Sequence, residues 1–235
     1  MSNKKSIKLV ATVLAELFAL ATIIKVIGTG QWDRIFLASV TVLLVMLPAL
    51  MEKLFRCEIC LPVYIFGLFY AVGPMLGQCW NLYYTIHWWD RMLHVFGGIM
   101  FAIVGAYLFE RLAQGKQKAI TTALFALAFS ISLAAVWEFV EFGADRLLGM
   151  DMQDDTVVDH ICSYLLGAEP GVTGSIGKIE SVVINGTPLS VGGYIDIGLF
   201  DSMWDMMLES LGAVITCLLL WLDKGKHSLI QATKK

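Results

Sequence analysis

Apolar residues along the chain fall into six runs that are long enough, or nearly long enough, to cross a bilayer as helices. A hydrocarbon core of ~30 Å needs about 20 predominantly apolar residues in helical form. The chain is 57% hydrophobic and only 16% charged, whereas soluble domains are about a quarter charged. The pattern therefore predicts an all-α, polytopic membrane protein that forms a single integral domain over residues 1–235. The predicted spans cover residues 9–27, 35–51, 61–77, 90–109, 119–142 and 200–222.

A long polar segment, residues 143–199, separates the fifth and sixth predicted spans. Its second half alternates apolar and polar residues on both sides of Asn185-Gly186. This dipeptide is typical of the two-residue turn in a β-hairpin. Connections of such length are usually functional or disordered, and the hairpin favours an ordered cap or lid.

Six spans place both termini on the same side of the membrane. If that side is the cytoplasm, twelve basic residues lie inside and five, including Arg91 and Arg146, lie at or near the outer face. This positive-inside bias predicts a multi-pass bacterial plasma-membrane protein with cytoplasmic termini and an outer 143–199 loop. The twelve basic residues assigned to the inside are Lys4, Lys5, Lys8, Lys53, Arg56, Arg111, Lys116, Lys118, Lys224, Lys226, Lys234 and Lys235.

Ionisable residues concentrate at the outer ends of the last three predicted spans. They recur at helical spacings of three and four residues, which place side chains on one face. Small residues such as Gly97, Gly98 and Gly212 on the same spans permit close helix packing. The polar positions are Asp90 and His94 on span four, Glu138, Glu141 and Asp145 on span five, and Asp201, Asp205 and Glu209 on span six.

This cluster carries more negative than positive charge, with seven carboxylates against Arg91, Arg146 and a protonated His94. One acid at the bilayer centre costs roughly 2.5–3.5 kcal/mol on insertion scales, so the excess needs protons or a bound cation. Carboxylates with one imidazole suit Mg²⁺, Mn²⁺, Fe²⁺ or Zn²⁺. The predicted metal ligands are Asp90, His94, Glu138 and Asp205, and the predicted catalytic residues are Glu141 and Glu209.

Two other interpretations of the cluster remain open. A protonated carboxylate network could move protons or cations, and a hydrogen-bonded network could simply order the helices. Single residues also have plainer explanations: His94 as a core histidine with satisfied hydrogen bonds, and Asp201 as a helix N-cap. Cys57 and Cys60 form an isolated CxxC that favours small apolar filling over zinc or redox use, and a Cys79–Cys162 disulfide has no support beyond a shared side.

Three motifs carry a resemblance to known membrane proteins. They are Trp-Asp-Arg-x-Leu-His-x-x-x-Gly at residues 89–98, Trp-Glu-x-x-Glu at 137–141, and Asp-Ser-Met-Trp-Asp-x-x-x-Glu-x-x-Gly-Ala at 201–213. Together they resemble uncharacterised bacterial inner-membrane proteins of the YjdF type and, more distantly, VanZ-like membrane proteins. The VanZ-like pattern has asparagine where this chain has Glu209. The resemblance implies a plasma-membrane location, and the VanZ-like group is associated with glycopeptide resistance at the cell envelope.

The residues and the resemblance together favour a metal-dependent membrane enzyme. It would act on a membrane lipid or cell-envelope precursor at the outer leaflet, and no nucleic-acid partner is expected. The alternatives are a proton- or cation-coupled transporter that uses the same carboxylates, and a non-catalytic scaffold or resistance protein. The reaction and the oligomeric state do not follow from the sequence.

Overall fold

The computed structural model describes residues 3–113, 117–223 and 230–232. Six of its helical stretches are long and apolar enough to cross a membrane, which confirms the predicted fold class. Four spans begin and end within about three residues of the predicted bounds, whereas the first begins six residues earlier than predicted and the fifth ends six residues later. The helices are α1 (Asn3–Ile27), α2 (Trp32–Val45), α3 (Leu47–Leu54), α4 (Leu61–Cys79), α5 (Leu82–Thr85), α6 (Trp89–Leu112), α7 (Ala119–Leu148) and α8 (Leu199–Asp223).

The second span consists of α2 and α3 in series. Met46 separates them in right-handed helical geometry, and its carbonyl accepts the Leu50 N–H at 3.0 Å. Pro48 lies in the first turn of α3, where a missing N–H leaves no helical hydrogen bond unmade. The second span is therefore divided into two helices near Pro48, and the backbone between them keeps helical geometry.

The fifth span is longer than predicted, and this corrects the assignment of residues 143–148 to the loop. α7 continues through Gly143 to Leu148, so its 30 residues measure about 45 Å along the axis. That length exceeds a ~30 Å hydrocarbon core, so part of the helix must extend past the core. Asp145 and Arg146 are consequently helical residues.

Short antiparallel strand pairs occupy much of the α7–α8 connection. The predicted hairpin at Asn185-Gly186 is confirmed, with positive φ angles of 50° and 84°, although its strands are only two residues long. Two further pairs and a 3-10 turn at Tyr164–Leu166 were not predicted. The pairs are β2 (Thr156–Val158) with β7 (Tyr194–Asp196), β3 (His160–Ser163) with β4 (Gly174–Gly177), β5 (Val183–Ile184) with β6 (Thr187–Pro188), and, outside the connection, β1 (Cys57–Ile59) with β8 (Ile230–Ala232).

The described chain divides into two compact units, Met1–Ala135 with Met206–Lys235, and Val136–Asp205. The first unit has a continuous apolar core that includes Ala19, Ala38 and Met75, while large residues of α1 such as Ile24 are exposed, as is typical of lipid-facing helices. α7 and α8 run through both units, and the single domain predicted for residues 1–235 stays a prediction. All five cysteines are free thiols, so Cys79 and Cys162 are not paired.

Candidate functional site

Asp90 and His94 lie in the first unit, at the start of α6. The Trp89 indole donates a hydrogen bond to the Gly73 carbonyl on α4 at 3.1 Å, which fixes where α6 begins. One turn later His94 is buried, with its Nε2 atom 3.6 Å from Asp90 Oδ1. This distance fits an ion pair with a protonated imidazole but is too long for a direct hydrogen bond.

Glu209 lies where α6 and α8 cross in the same unit. A Cβ atom on Gly98 would lie 1.9 Å from the Glu209 carbonyl oxygen, and one on Gly212 would lie 2.1 Å from the Val95 carbonyl oxygen. Only glycine permits backbones to approach this closely, so the predicted role of Gly98 and Gly212 in helix packing is confirmed. The Ser130 hydroxyl donates to the Gly98 carbonyl at 3.2 Å and joins α7 to this crossing.

Tyr70 is a neighbour of this crossing that the sequence did not indicate. A Cβ atom on Gly97 would lie 2.7 Å from the Tyr70 hydroxyl and 3.5 Å from Glu209 Oε1. Because Gly97 has no side chain, the Tyr70 hydroxyl and the Glu209 carboxylate both fit against this face of α6. Glu209 itself is only 3% exposed, so its polar atoms depend on such protein neighbours.

Three carboxylates converge within the second unit: Glu138 and Glu141 from α7, and Asp205 from α8. Each offers an oxygen, and these oxygens all lie within 4.8 Å of one another. Glu138 and Glu141 are 7% exposed and Asp205 is 2% exposed. We refer to these three residues as the carboxylate triad. Glu138 precedes the end of α7 by ten residues, or about 15 Å.

The triad concentrates negative charge where water is scarce. Two unit charges less than 5 Å apart repel by roughly 3–4 kcal/mol at an effective dielectric constant of 20, and a triad has three such pairs. Fully ionised, it would cost about as much as a typical stability of 5–15 kcal/mol. Glu138 Oε2 is buried and has no hydrogen-bond partner among the described residues, whereas Glu141 Oε1 accepts the Trp137 indole N–H at 2.8 Å. An ionised triad therefore needs balancing charge, from protons, a bound cation or neighbouring protein groups.

The chain just after α7 ties the ends of α7 and α8 together. Asp145 accepts the backbone N–H groups of Met152 at 2.6 Å and Gln153 at 3.0 Å. The Asp154 N–H donates to Asp201 at 3.0 Å, and the Gln153 amide donates to the Ser202 hydroxyl. We refer to residues 152–154 as the strap. Its contacts on α7 and on α8 lie about one helical turn from the triad.

Asp201 does not have the N-cap role that the sequence left open. It lies inside the first turn of α8, and it accepts the strap N–H of Asp154 instead. The N–H of Phe200, in the same first turn, is accepted by Asp196 at 2.9 Å. Because Asp196 ends β7, the last strand of the connection also stabilises the start of α8.

A cavity of about 190 Å³ lies beside the strap. Its charged lining residues are Asp145, Arg146, Asp151 and Asp155, and Gln153 forms another part of the wall. Partial burial raises the pKa of Asp151, and the like charges of Asp155 and Asp145 raise it further. The negative potential in this cavity therefore opposes ionisation of Asp151.

Replacing Asp151 by asparagine is expected to raise the thermal unfolding midpoint modestly at pH 7. Since folding raises the pKa of Asp151 above its ordinary value of 3.8, its ionisation destabilises the folded state. That penalty is absent below pH 3.8 and grows as the pH rises through the folded-state pKa. Melting curves of D151N and wild type should therefore coincide in acid and separate towards neutrality. D159N, at an exposed position outside the cavity, is the control, and a less stable D151N at pH 7 would contradict the assignment.

The structure brings the predicted site residues together in two groups. Asp90 and His94 form a pair near the start of α6, and Glu138, Glu141 and Asp205 form the triad. Glu209 lies at the α6–α8 crossing, and the complete predicted ligand set of Asp90, His94, Glu138 and Asp205 stays a prediction. Sequence reasoning missed Tyr70, Gln153 and Ser202, for which the sequence offers no periodic signal, and the contact of Trp137 with Glu141, whose i,i+4 spacing was available.

Comparison with known proteins identifies relatives but no activity. No solved structure matches the chain. An uncharacterised protein of Thermotoga maritima is 26% identical over 95 residues, which cover 39% of this chain and 50% of that protein; the match thus spans about half the length of the relative. A family model described as "Predicted membrane protein (DUF2238)" matches residues 10–226. Because this match covers nearly the whole chain, the protein belongs to the DUF2238 family of predicted membrane proteins.

Proposed function

We propose that this protein is a metal-dependent membrane enzyme that acts on a lipid or cell-envelope precursor at the outer leaflet. The observation that carries the proposal is the carboxylate triad, whose oxygens lie within 4.8 Å of one another in a buried setting. A single divalent cation would balance most of its charge. Three oxygen ligands suit Mg²⁺ or Mn²⁺, and also fit Fe²⁺ or Zn²⁺ when an imidazole joins them.

Glu138, Glu141 and Asp205 are the proposed metal ligands. This assignment moves Glu141 from the predicted catalytic base to a ligand, because its oxygen lies as close to its neighbours as those of the other two. The indole N–H of Trp137 donates a hydrogen bond to one carboxylate oxygen of Glu141. This bond restricts rotation of the carboxylate. A bound divalent cation would supply a Lewis acid and lower the pKa of a coordinated water.

Asp90, His94 and Glu209 enter the proposal as sequence-based predictions. Asp90 and His94 would complete the ligand set, and Glu209 would serve as a general base. These assignments extend the metal proposal but are not needed for it.

The proposed orientation places both termini in the cytoplasm of a bacterial cell and the α7–α8 connection outside. Its support is the count of twelve basic residues against five. Five of the twelve, Lys116, Lys224, Lys226, Lys234 and Lys235, lie outside the described residues. The choice of an envelope precursor as substrate rests on the resemblance to YjdF-type and VanZ-like proteins, and a match to a Thermotoga protein agrees with a bacterial origin.

Transport is less well supported than catalysis. A coupled transporter needs ionisable groups along a route through the membrane. α8 has no charged residue between Glu209 and Asp223, and α7 has none from Ala119 to Trp137. The acids are therefore confined to one end of the last spans, which fits a site that opens to one side.

The wild-type protein, purified in detergent without chelator, is expected to contain about one divalent metal ion per chain. Elemental analysis measures the stoichiometry, and reconstitution with Mn²⁺ after chelation tests reversibility. Incubating the loaded protein with lipid extracts, followed by mass spectrometry, would show whether a lipid or envelope precursor is converted. Protein that stays metal-free after Mn²⁺ is supplied would overturn the proposal, and a substrate-dependent flux in liposomes would favour transport instead.

A further inference from the structure

We propose that Lys25 and Arg34 form a binding site for the phosphate group of an anionic glycerophospholipid such as phosphatidylglycerol. Lys25 lies in the last turn of α1 and Arg34 in the first turn of α2, so both belong to the same end of their spans. The count of basic residues assigns this end to the outer face. All the groups concerned lie in the unit formed by Met1–Ala135 and Met206–Lys235, and the inference does not depend on the metal proposal.

Cys79, the last residue of α4, joins the two basic residues. Its carbonyl oxygen accepts a hydrogen bond from Lys25 Nζ at 3.2 Å, and its thiol donates to the Arg34 carbonyl oxygen at 3.5 Å. The positive charges of both side chains also lie within electrostatic range of this buried thiol. Two cations from different helices are therefore held near one residue, and an anion between them would relieve their repulsion.

The Arg34 guanidinium has a donor that needs an acceptor. Its Nε atom is buried and has no hydrogen-bond partner among the described residues. An arginine that merely extends from a span towards water would keep its donors hydrated, whereas a buried donor without an acceptor is costly. A guanidinium binds phosphate through two parallel N–H bonds, so a lipid phosphate would supply the missing acceptors.

Trp80 fixes the position of the Lys25 ammonium group. Lys25 Nζ lies 3.5 Å from the centroid of the Trp80 ring, which is a cation–π contact. The indole N–H donates to the Thr22 hydroxyl at 3.2 Å, and the ring stacks on Phe18 at a centroid distance of 5.6 Å. An ammonium group has three N–H donors, and the Cys79 carbonyl takes one of them. Lys25 is thus a positioned cation with donors left for a ligand.

The acid beside the site does not neutralise it. Asp33 accepts a hydrogen bond from the Gln78 amide at 3.3 Å, and the ion pairs among the described residues include neither Lys25 nor Arg34. With Asp33 counted, these side chains still leave one positive charge. Trp80, which is 42% exposed, is an aromatic residue of the kind that lies at the level of lipid headgroups. Charge and location therefore both favour an anionic lipid.

The test measures lipid binding to the full-length protein in detergent by native mass spectrometry. The wild type is expected to bind one phosphatidylglycerol about tenfold more tightly than a phosphatidylcholine with the same acyl chains. R34Q and K25Q should each weaken phosphatidylglycerol binding about tenfold, the effect of losing a hydrogen bond to a charged group, and leave phosphatidylcholine binding unchanged. K53Q removes an exposed lysine at the end of α3 and should behave as wild type does.

A gain of binding separates the site from a loss of folding. D33N keeps an oxygen for Gln78 and removes the negative charge, so it should bind phosphatidylglycerol about twofold to fivefold more tightly than wild type. R34K keeps the charge without the guanidinium fork and should fall between wild type and R34Q. Equal wild-type affinity for the two lipids, or R34Q and K25Q that bind as wild type does, would overturn the proposal. Displacement of phosphatidylglycerol by glycerol 3-phosphate would make a water-soluble phosphate the ligand and overturn the lipid assignment.

Discussion

Replacing Glu138 by glutamine is expected to abolish Mn²⁺ binding and, at the same time, to make the metal-free protein more stable. The glutamine keeps the size of the side chain and removes one of three charges that lie within 5 Å. Two of the three repulsive pairs disappear, each worth roughly 3–4 kcal/mol if fully ionised. Because the surroundings screen part of this repulsion, we expect a gain of about 2 kcal/mol, or ~4–8 °C in unfolding midpoint for a chain of this size.

The wild-type protein should show the opposite dependence on metal. Mn²⁺ binds only the folded state of the triad, so it should raise the wild-type midpoint with increasing concentration and leave E138Q unmoved. E110Q, an exposed glutamate at the end of α6, is the matched control and should bind and respond as wild type does. A protonated network predicts stabilisation by E138Q but no response of either protein to Mn²⁺. A destabilised E138Q would instead show that the carboxylate has a structural partner.

The spans were predictable because the bilayer imposes a length and a composition on each of them. What the pattern could not fix was the end of α7. Gly143 looks like a helix terminus, yet α7 continues for five more residues to Leu148. A single glycine inside a helix costs only about 1 kcal/mol, and the hydrogen bonds that Asp145 accepts from Met152 and Gln153 stabilise the C-terminal end of α7 beyond it.

The triad was predictable in part, for a similar reason. Glu138 and Glu141 share a face because of their spacing, and two acids within an apolar run stand out in the sequence. Gln153 and Ser202 are separated by 49 positions, and Tyr70 approaches Gly97 from another helix. Contacts of this kind depend on how the helices and the connection pack, and the spacing of residues within one helix does not predict them. The strap therefore became visible only with the fold.

Replacing Gly98 by alanine is expected to destabilise the protein strongly, although the change adds only one methyl group. The added Cβ would lie 1.9 Å from the Glu209 carbonyl oxygen and 2.9 Å from the Ala213 nitrogen. Both atoms belong to the α8 backbone, which cannot turn aside as a side chain can, so α6 and α8 must separate. Overpacking usually costs 1–3 kcal/mol, and we expect ~3 kcal/mol or more here, which lowers the unfolding midpoint by roughly 6–12 °C. G212A, which meets the Val95 carbonyl at 2.1 Å, should behave alike.

Gly143 supplies the control that separates crowding from helix propensity. It is also a helical glycine, but a Cβ atom there meets nothing within 4 Å. G143A should therefore stabilise the protein by about 0.5–1 kcal/mol, the gain from replacing glycine by alanine in a helix. Thermal melts of the three variants in one detergent give the comparison. Opposite signs for G98A and G143A would establish that α6 and α8 touch through their backbones. Stabilisation by G98A would mean that the crossing is looser, and that Glu209 has no fixed place beside Gly97 and Tyr70.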